Sequence, residues 1–242
     1  MYNSWLEISK SAILHNLAQY QKIVGPKVEI MPVVKSNAYG HGMIEVAKLV
    51  SPKVKWLGVA SLGEALELRK NNIRKRIFVL SYVDRKNYEL GIKNKVDLPL
   101  YSLQAARAIS AKAKRLRINA RIHLKIDVGT TRVGVLAKDA LGFIKKVKSL
   151  PNIKIVGIYS HFASSEENQS FTAQQLSAFN WVIEEARKEG IEFEFKHIGC
   201  SAATLVEPKS HFNMIRLGVS LYGLWPSAQA KKIGLKNYPW LN

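Results

Sequence analysis

The feature that most constrains the fold is the regular alternation of short apolar runs with longer amphipathic segments. The apolar runs are rich in β-branched residues and have the length of strands. They number eight, and they cover residues 28–34, 56–61, 77–82, 97–102, 119–126, 153–160, 193–198 and 214–221. Strands that alternate with helices predict a parallel sheet connected by crossover helices.

The segments between the runs carry apolar residues at helical spacing. Helices are predicted over residues 9–24, 63–73, 102–116, 138–150 and 170–190. Eight strands alternating with helices in 242 residues predict a (β/α)8 barrel, and a doubly wound open sheet is the alternative. Residues 227–242 show neither the strand-like nor the helical spacing of apolar residues. This change predicts a barrel over 1–226 followed by a linker.

The composition and charge limit the class of protein. No leader-like segment and no apolar run of about 18 residues is evident, so we expect a soluble, cytoplasmic protein that does not enter a membrane. The single cysteine, Cys200, excludes an intramolecular disulfide and is expected to be a small buried side chain. No metal site is predicted.

The formal charge of +19 raises the question of a polyanionic partner. Basic clusters occur at 69–76, 112–117 and 145–148, beside predicted helices and without a nucleic-acid-binding motif. We expect solvated outer helix faces and no specific nucleic-acid partner, and nonspecific attraction to polyanions is the alternative.

Chemically active side chains cluster where the predicted strands end. In a barrel these ends share one mouth, which is where such folds place their functional groups. The residues that the pattern places there are Lys35, Arg132, His161, Cys200, Ser201, Arg216, Gly218 and Val219. A lysine at an apolar rim is a candidate Schiff-base nucleophile, and a lysine that merely extends into solvent is equally compatible.

Two further segments suggest a ligand. The loop "HIGCSAAT" (197–204) and the run "IRLGVSLYG" (215–223) fall where barrels often bind phosphate. The segment "HLKIDVGTTRVG" (123–134) places Lys125 and Arg132 near one strand end, and an arginine there suits a carboxylate or a phenolate oxygen. Taken alone, each pattern is also compatible with ordinary turns and surface residues.

Five ordered motifs together resemble the alanine racemases: "VVKSNAYGHG", "KIDVGTTRVG", "SHFASSE", "HIGCSAAT" and "IRLGVSLYGLWP". The resemblance runs along nearly the whole chain. It implies a (β/α)8 barrel of the type III class of pyridoxal 5′-phosphate (PLP) enzymes, followed by a β-rich C-terminal domain. It also implies PLP as cofactor, alanine as substrate, supply of D-alanine for the cell wall, and a head-to-tail homodimer.

The resemblance also implies a role for each motif residue. Lys35 holds the cofactor and acts as the base on one face of the substrate. The implied phosphate contacts are Tyr39, Ser201, Gly218 and Val219. Arg132 lies near the cofactor's phenolic oxygen and the substrate carboxylate, and Lys125 matches a lysine that is carbamylated in some members. His161 lies beside the cofactor ring, and Arg216 faces the pyridine nitrogen.

A permanently charged arginine opposite the ring nitrogen disfavours its protonation, which suits reversible removal of the Cα proton. Racemisation needs a base on each face of the substrate, and Lys35 supplies one. In the family the other is a tyrosine in the partner subunit's C-terminal domain, and no tyrosine of this sequence lies in a matching motif.

Two functions other than racemisation are alternatives. The first is a single-domain, non-catalytic PLP carrier, and the second is a polyanion-binding protein. Within the racemases, specificity for serine or a broader range of amino acids stays open.

Overall fold

The computed structural model describes residues 4–241, and it is a closed barrel of parallel strands surrounded by helices. Residues 1–3 and 242, which the predicted ranges 1–226 and 227–242 include, lie outside the described residues. The strands are β1 (Glu29–Pro32), β2 (Trp56–Val59), β3 (Arg76–Val79), β4 (Leu98–Leu100), β5 (Ala120–Asp127), β6 (Val135–Leu136), β7 (Ile153–Tyr159), β8 (Phe195–His197) and β9 (Met214–Leu217).

The helices follow the strands in alternation. They are α1 (Lys10–Val24), α2 (Lys35–Tyr39), α3 (Met43–Val50), α4 (Leu62–Lys70), α5 (Tyr88–Lys93), α6 (Leu103–Leu116), α7 (Ala137–Lys148), α8 (Gln169–Lys188), α9 (Ser201–Val206) and α10 (Ala228–Asn237). Side chains of Ser102 and Asn168 accept backbone N–H bonds at the starts of α6 and α8. These caps satisfy donors that have no partner within the helix.

Eight parallel strands close the barrel, and β6 is a two-residue addition beside β5. The ladders pair β1 with β9, β2 with β3, and β4, β5, β7 and β8 in that order. Single bridges from Val33 to Gly58 and from Phe78 to Asp97 join the ladders, and Arg216 N donates to Gly199 O between β8 and β9. The predicted (β/α)8 barrel is therefore confirmed, and the open sheet is excluded.

Aromatic side chains fill the interior of the barrel. Trp56, Phe78 and Tyr159 are at most 3% exposed, and they pack with Met31 and Met214. A larger apolar cluster lies between the strands and the outer helices. With the interior packed, the groups at the carboxyl ends of the strands are the ones that a barrel of this kind uses for catalysis.

Two predictions about chain segments are wrong. The run 214–221 predicts one strand, but β9 ends at Leu217 and a 3-10 turn, Val219–Tyr222, follows. The segment 227–242 predicts an irregular linker, but α10 forms there, capped by Ser227. Its buried face consists of Ala230 and Gly234, which are too small to give an apolar period in the sequence.

The basic cluster at 69–76 also departs from the prediction of a solvated helix face. It spans the end of α4 and the start of β3, where its side chains border a cavity at the amino ends of the strands. In residues 4–241, no helix is long and apolar enough to cross a membrane.

Candidate active site

Two adjoining cavities of about 330 and 360 Å³ open at the carboxyl ends of the strands. Lys35, Leu80, His161 and Arg216 line both cavities, which makes them one mouth. Every predicted site residue lines one cavity or the other: Lys35, Tyr39, Lys125, Arg132, His161, Ser201, Arg216, Gly218 and Val219. The structure brings the nine residues together, and their individual roles stay predictions.

Lys35 opens an unusual left-handed turn. Ser36, Asn37, Ala38 and Tyr39 all have φ between 52 and 54°, and Gly40 follows at 91°. Left-handed backbone costs a residue with a side chain roughly 1–2 kcal/mol, so four in succession require strong support from their surroundings. Strain of this kind is typical of functional sites.

The Glu64 carboxylate provides much of that support. It accepts hydrogen bonds from Ser36 N at 2.6 Å and from Ala60 N at 2.7 Å, and it completes the capping box with Ser61 at the start of α4. The side chain of Asn37 accepts a bond from Met43 N at 2.9 Å. The turn that carries Lys35 is thus fixed to the neighbouring strand and helix.

Tyr39, Ser201 and Gly218 form a small polar cradle on one side of the mouth. Gly218 N donates to Ser201 Oγ at 2.9 Å, and a Cβ atom at Gly218 would lie 3.1 Å from Tyr39 Oη. The Tyr222 ring packs against Tyr39 at 5.2 Å between centroids, and its hydroxyl donates to Val33 O at 2.9 Å. Hydroxyl groups therefore converge on a site that only a glycine leaves open.

Arg216 is held rigidly at the floor of the mouth. It is 6% exposed, and its guanidinium donates to the carbonyl oxygens of Ser160 at 2.8 Å, His197 at 3.0 Å and Ile198 at 3.1 Å. It also contacts Nδ1 of His197 at 3.0 Å and Nδ1 of His161 at 3.3 Å. A guanidinium only donates, so both ring nitrogens are acceptors.

That constraint fixes the protons along a buried chain. Since His197 accepts at Nδ1, its proton is on Nε2, which donates to Nδ1 of His123 at 2.9 Å. The proton of His123 is then on Nε2, 3.5 Å from Asp97 Oδ2. His123, His197 and Asp97 are fully buried, so the chain runs through the barrel interior from the mouth towards the amino ends of the strands.

Burial and neighbouring cations disfavour the charged form of two basic side chains of the mouth. Burial first, and then the charge of Arg216, lower the pKa of His161 to about 3. Burial, with the charges of Arg216 and Arg132, lowers the pKa of Lys125 well below its usual range. The Lys125 Nζ atom is buried without a hydrogen-bond partner among residues 4–241 and lies 4.9 Å from the centroid of the Tyr159 ring. Arg132 is exposed at the rim.

Several features of the site differ from the sequence predictions. Gly218 and Val219 follow β9 instead of lying within a strand, and Cys200 is partly exposed at the mouth instead of buried. Within residues 4–241, no group of three or more histidine, cysteine or acidic side chains is arranged to hold a metal ion.

The sequence reasoning missed four residues that support the site: Glu64, Asp97, His123 and Tyr222. The capping pattern "SLGE" (61–64) marks Glu64 as a helix cap, but it does not reveal the bond to Ser36. No sequence signal links Asp97, His123 and Tyr222, because the contacts that join them to the site span distant strands.

Comparison with known proteins identifies relatives along the described chain. The family described as "Alanine racemase, N-terminal domain" matches residues 8–226. An alanine racemase of Methanococcus maripaludis is 39% identical over 231 residues, which are 94% of this chain and 62% of that protein. Alanine racemase 1 of Clostridium acetobutylicum is 37% identical over 238 residues, or 97% of this chain and 61% of that protein.

The fold comparison agrees. The solved alanine racemase of Clostridium difficile 630 superposes with a TM-score of 0.91 at 34% identity, over 95% of this chain and 60% of that one. The chain thus spans about three fifths of the length of these relatives. Because the family match covers most of the sequence and the fold agrees, the chain belongs to the alanine racemase N-terminal domain family.

Proposed function

We propose that the chain is the cofactor-binding barrel of a PLP-dependent racemase that interconverts L-alanine and D-alanine in the cytoplasm. The observation that carries the proposal is the convergence of Lys35, the hydroxyl cradle and Arg216 on a single mouth. The names of the relatives supply the substrate, and the geometry supports the chemistry.

The cradle fits the phosphate of PLP. Tyr39 and Ser201 offer hydroxyl donors, and Gly218 leaves the space that a side chain would fill. The backbone N–H group of Val219, in the turn that follows Gly218, is suited to a dianion as well. A phosphate is therefore expected between the Lys35 turn and the end of β9.

The opposite side of the mouth fits the pyridine ring. PLP, when bound, supplies an electron sink that stabilises negative charge at the Cα atom of the substrate. Arg216 is an obligate donor, so it accommodates an unprotonated ring nitrogen and does not supply a proton to it. The neutral ring of His161 can lie beside the cofactor without adding charge.

Lys35 is the residue that moves the proton. Its amine would hold the cofactor, and the same amine is placed to take a proton from the substrate Cα on one face or to return one. Arg132 at the rim is placed to bind the substrate carboxylate through its fork of donors. Lys125 is a buried amine whose pKa is lowered, so it is suited to reaction with carbon dioxide, which would release a proton and give a carbamate able to orient Arg132.

Racemisation also requires a base on the opposite face. The resemblance assigns that base to a tyrosine of a partner subunit, in the part of the relatives that this chain does not span. We therefore propose a homodimeric full-length form with a shared site, and we expect the barrel alone to bind PLP but to racemise alanine poorly. Residues 227–242 then lead towards the β-rich domain.

Covalent trapping of the cofactor tests the proposal. The chain is incubated with PLP, reduced with borohydride and digested, and the modified lysine is identified by mass spectrometry. We expect one equivalent of adduct on Lys35, and none in Lys35→Ala. Lys86→Ala is the matched control, because Lys86 has a side chain 79% exposed and lines neither cavity of the mouth. Adducts spread over surface lysines, without enrichment at Lys35, would refute the site.

A further inference from the structure

A third cavity lies at the end of the barrel opposite the mouth. This basal cavity has a volume of about 770 Å³ and is bounded by the ends of α4 and α5 and by the first residues of β3 and β5. Eight cationic side chains and no acidic one line it: Arg69, Lys70, Arg74, Lys75, Arg76, Lys93, Lys95 and Arg121. The volume is typical of a small-molecule site.

Some of these cations have acidic partners nearby. Asp97 pairs with Arg76 at 3.1 Å and with Arg121 at 2.6 Å from beneath the cavity floor. Glu67 lies 3.7 Å from Lys70, and Glu89 lies 2.9 Å from Lys93. Half of the positive side chains thus already have a partner.

The other four cations have no ion pair within residues 4–241: Arg69, Arg74, Lys75 and Lys95. The Arg69 guanidinium donates to the backbone carbonyls of Asn94, Ile73, Lys75 and Lys95, which fixes its plane. Burial, followed by the charge of Arg121, lowers the pKa of Arg69. A cluster of unpaired like charges in a concave site attracts anions from solution.

We propose that the basal cavity binds a compact oligophosphate, such as tripolyphosphate or the triphosphate group of a nucleotide. Arginine and lysine together match the geometry and charge of phosphate oxygens. No aromatic side chain lines the cavity, so recognition rests on the phosphates and not on stacking of a base. Its concave shape favours a compact anion over an extended nucleic-acid backbone. The site is separate from the mouth and does not depend on the function proposed above.

Titration calorimetry on the chain, both untreated and after reduction with PLP, tests the proposal. A reduced cofactor would block binding at the mouth, and the untreated chain gives a result that does not rest on cofactor binding. The probes are tripolyphosphate, ATP and a single-stranded 20-mer oligonucleotide. We expect one tripolyphosphate per chain, and an affinity that falls about tenfold or more between 50 and 300 mM salt. Equal affinity for tripolyphosphate and ATP would indicate that the cavity recognises the phosphates alone. Tighter binding of ATP would indicate an added contact to the nucleoside, and either result supports the site.

The variant Lys75→Glu/Lys95→Glu reverses two unpaired charges of the cavity. Lys138→Glu/Lys146→Glu is the control, since both residues are exposed on α7 and the change in net charge is the same. We expect the first variant to weaken tripolyphosphate binding more than tenfold and the control to weaken it less than threefold. Circular dichroism confirms folding, and Lys75→Gln/Lys95→Gln should give an intermediate loss. Equal losses in the Glu variant and the control would overturn the proposal, as would 20-mer binding that tripolyphosphate cannot displace.

Discussion

Acidification provides a sharp test of the buried histidines that surround Arg216. His161 has a folded pKa of about 3, against about 6.5 in an unfolded chain, and the pKa of His197 is lowered well below that reference by burial and then by Arg216. Below pH 6.5 the unfolded state therefore binds protons that the folded state excludes. The stability of the fold must then fall as the pH falls.

The magnitude follows from the two pKa values. Between pH 7.5 and pH 5, a histidine with a folded pKa of about 3 loses about 2 kcal/mol of stabilisation. His197, whose pKa is lowered by burial and then by the charge of Arg216, adds to this loss. His123, whose pKa is also lowered by burial, and Lys125 act in the same direction, so this figure is a lower bound.

Urea unfolding followed by tryptophan fluorescence at the two pH values measures the loss. For a slope of about 2 kcal/mol/M, the loss from His161 alone should move the midpoint by about 1 M. His161→Asn should reduce the pH-dependent loss by about 2 kcal/mol, whereas His15→Asn, at an exposed position of α1, should leave it unchanged. A loss below about 1 kcal/mol in the parent chain, or the same loss in His161→Asn, would refute the neutral, buried state of these histidines.

Two substitutions test the support of the site. Glu64→Ala removes the acceptor of the Ser36 and Ala60 N–H groups. It should lower the free energy of unfolding by about 3–6 kcal/mol, because each of the two bonds to the charged carboxylate contributes roughly 1.5–3 kcal/mol. The same measurement on Glu67→Ala, three residues along α4, should show less than about 1 kcal/mol, and equal effects would contradict the role of Glu64. Gly218→Ala places a Cβ atom 3.1 Å from Tyr39 Oη and should weaken PLP binding about tenfold in a spectroscopic titration. Gly142→Ala, where a Cβ atom meets nothing within 4 Å, is the control, and unchanged PLP affinity in Gly218→Ala would argue against the cradle.

Much of the fold could be predicted from the sequence because the barrel strands are buried on both faces. Such strands appear as apolar runs, and each of the eight runs overlaps a barrel strand. Their ends were less predictable, as at Gly218, where the apolar run continues into a turn whose side chains are also buried. Helix α10 was missed because small residues alone, Ala230 and Gly234, form its buried face.

The site was predictable to the extent that its residues lie in local motifs. Lys35 and Tyr39 share one turn, and Ser201 and Gly218 follow adjacent strands, so barrel topology alone brings them together. The side chains that fix these residues could not be found in the same way. The contact between Glu64 and Ser36 spans 28 residues, and the contact between His123 and His197 spans 74. Long-range contacts of this kind exist only once the barrel has closed.

Exchange of the alanine Cα hydrogen with heavy water tests the central claim most directly. The PLP-loaded chain is incubated separately with L-alanine and D-alanine in D2O, and deuterium at Cα is followed by proton NMR. If Lys35 is the only base that this chain brings to the cofactor, one enantiomer exchanges with its configuration retained, the other does not, and Lys35→Ala abolishes the exchange. The account would be contradicted if both enantiomers exchanged equally or if exchange survived in Lys35→Ala. It would also be contradicted if exchange were no faster than with free PLP, which is the result expected of a non-catalytic carrier.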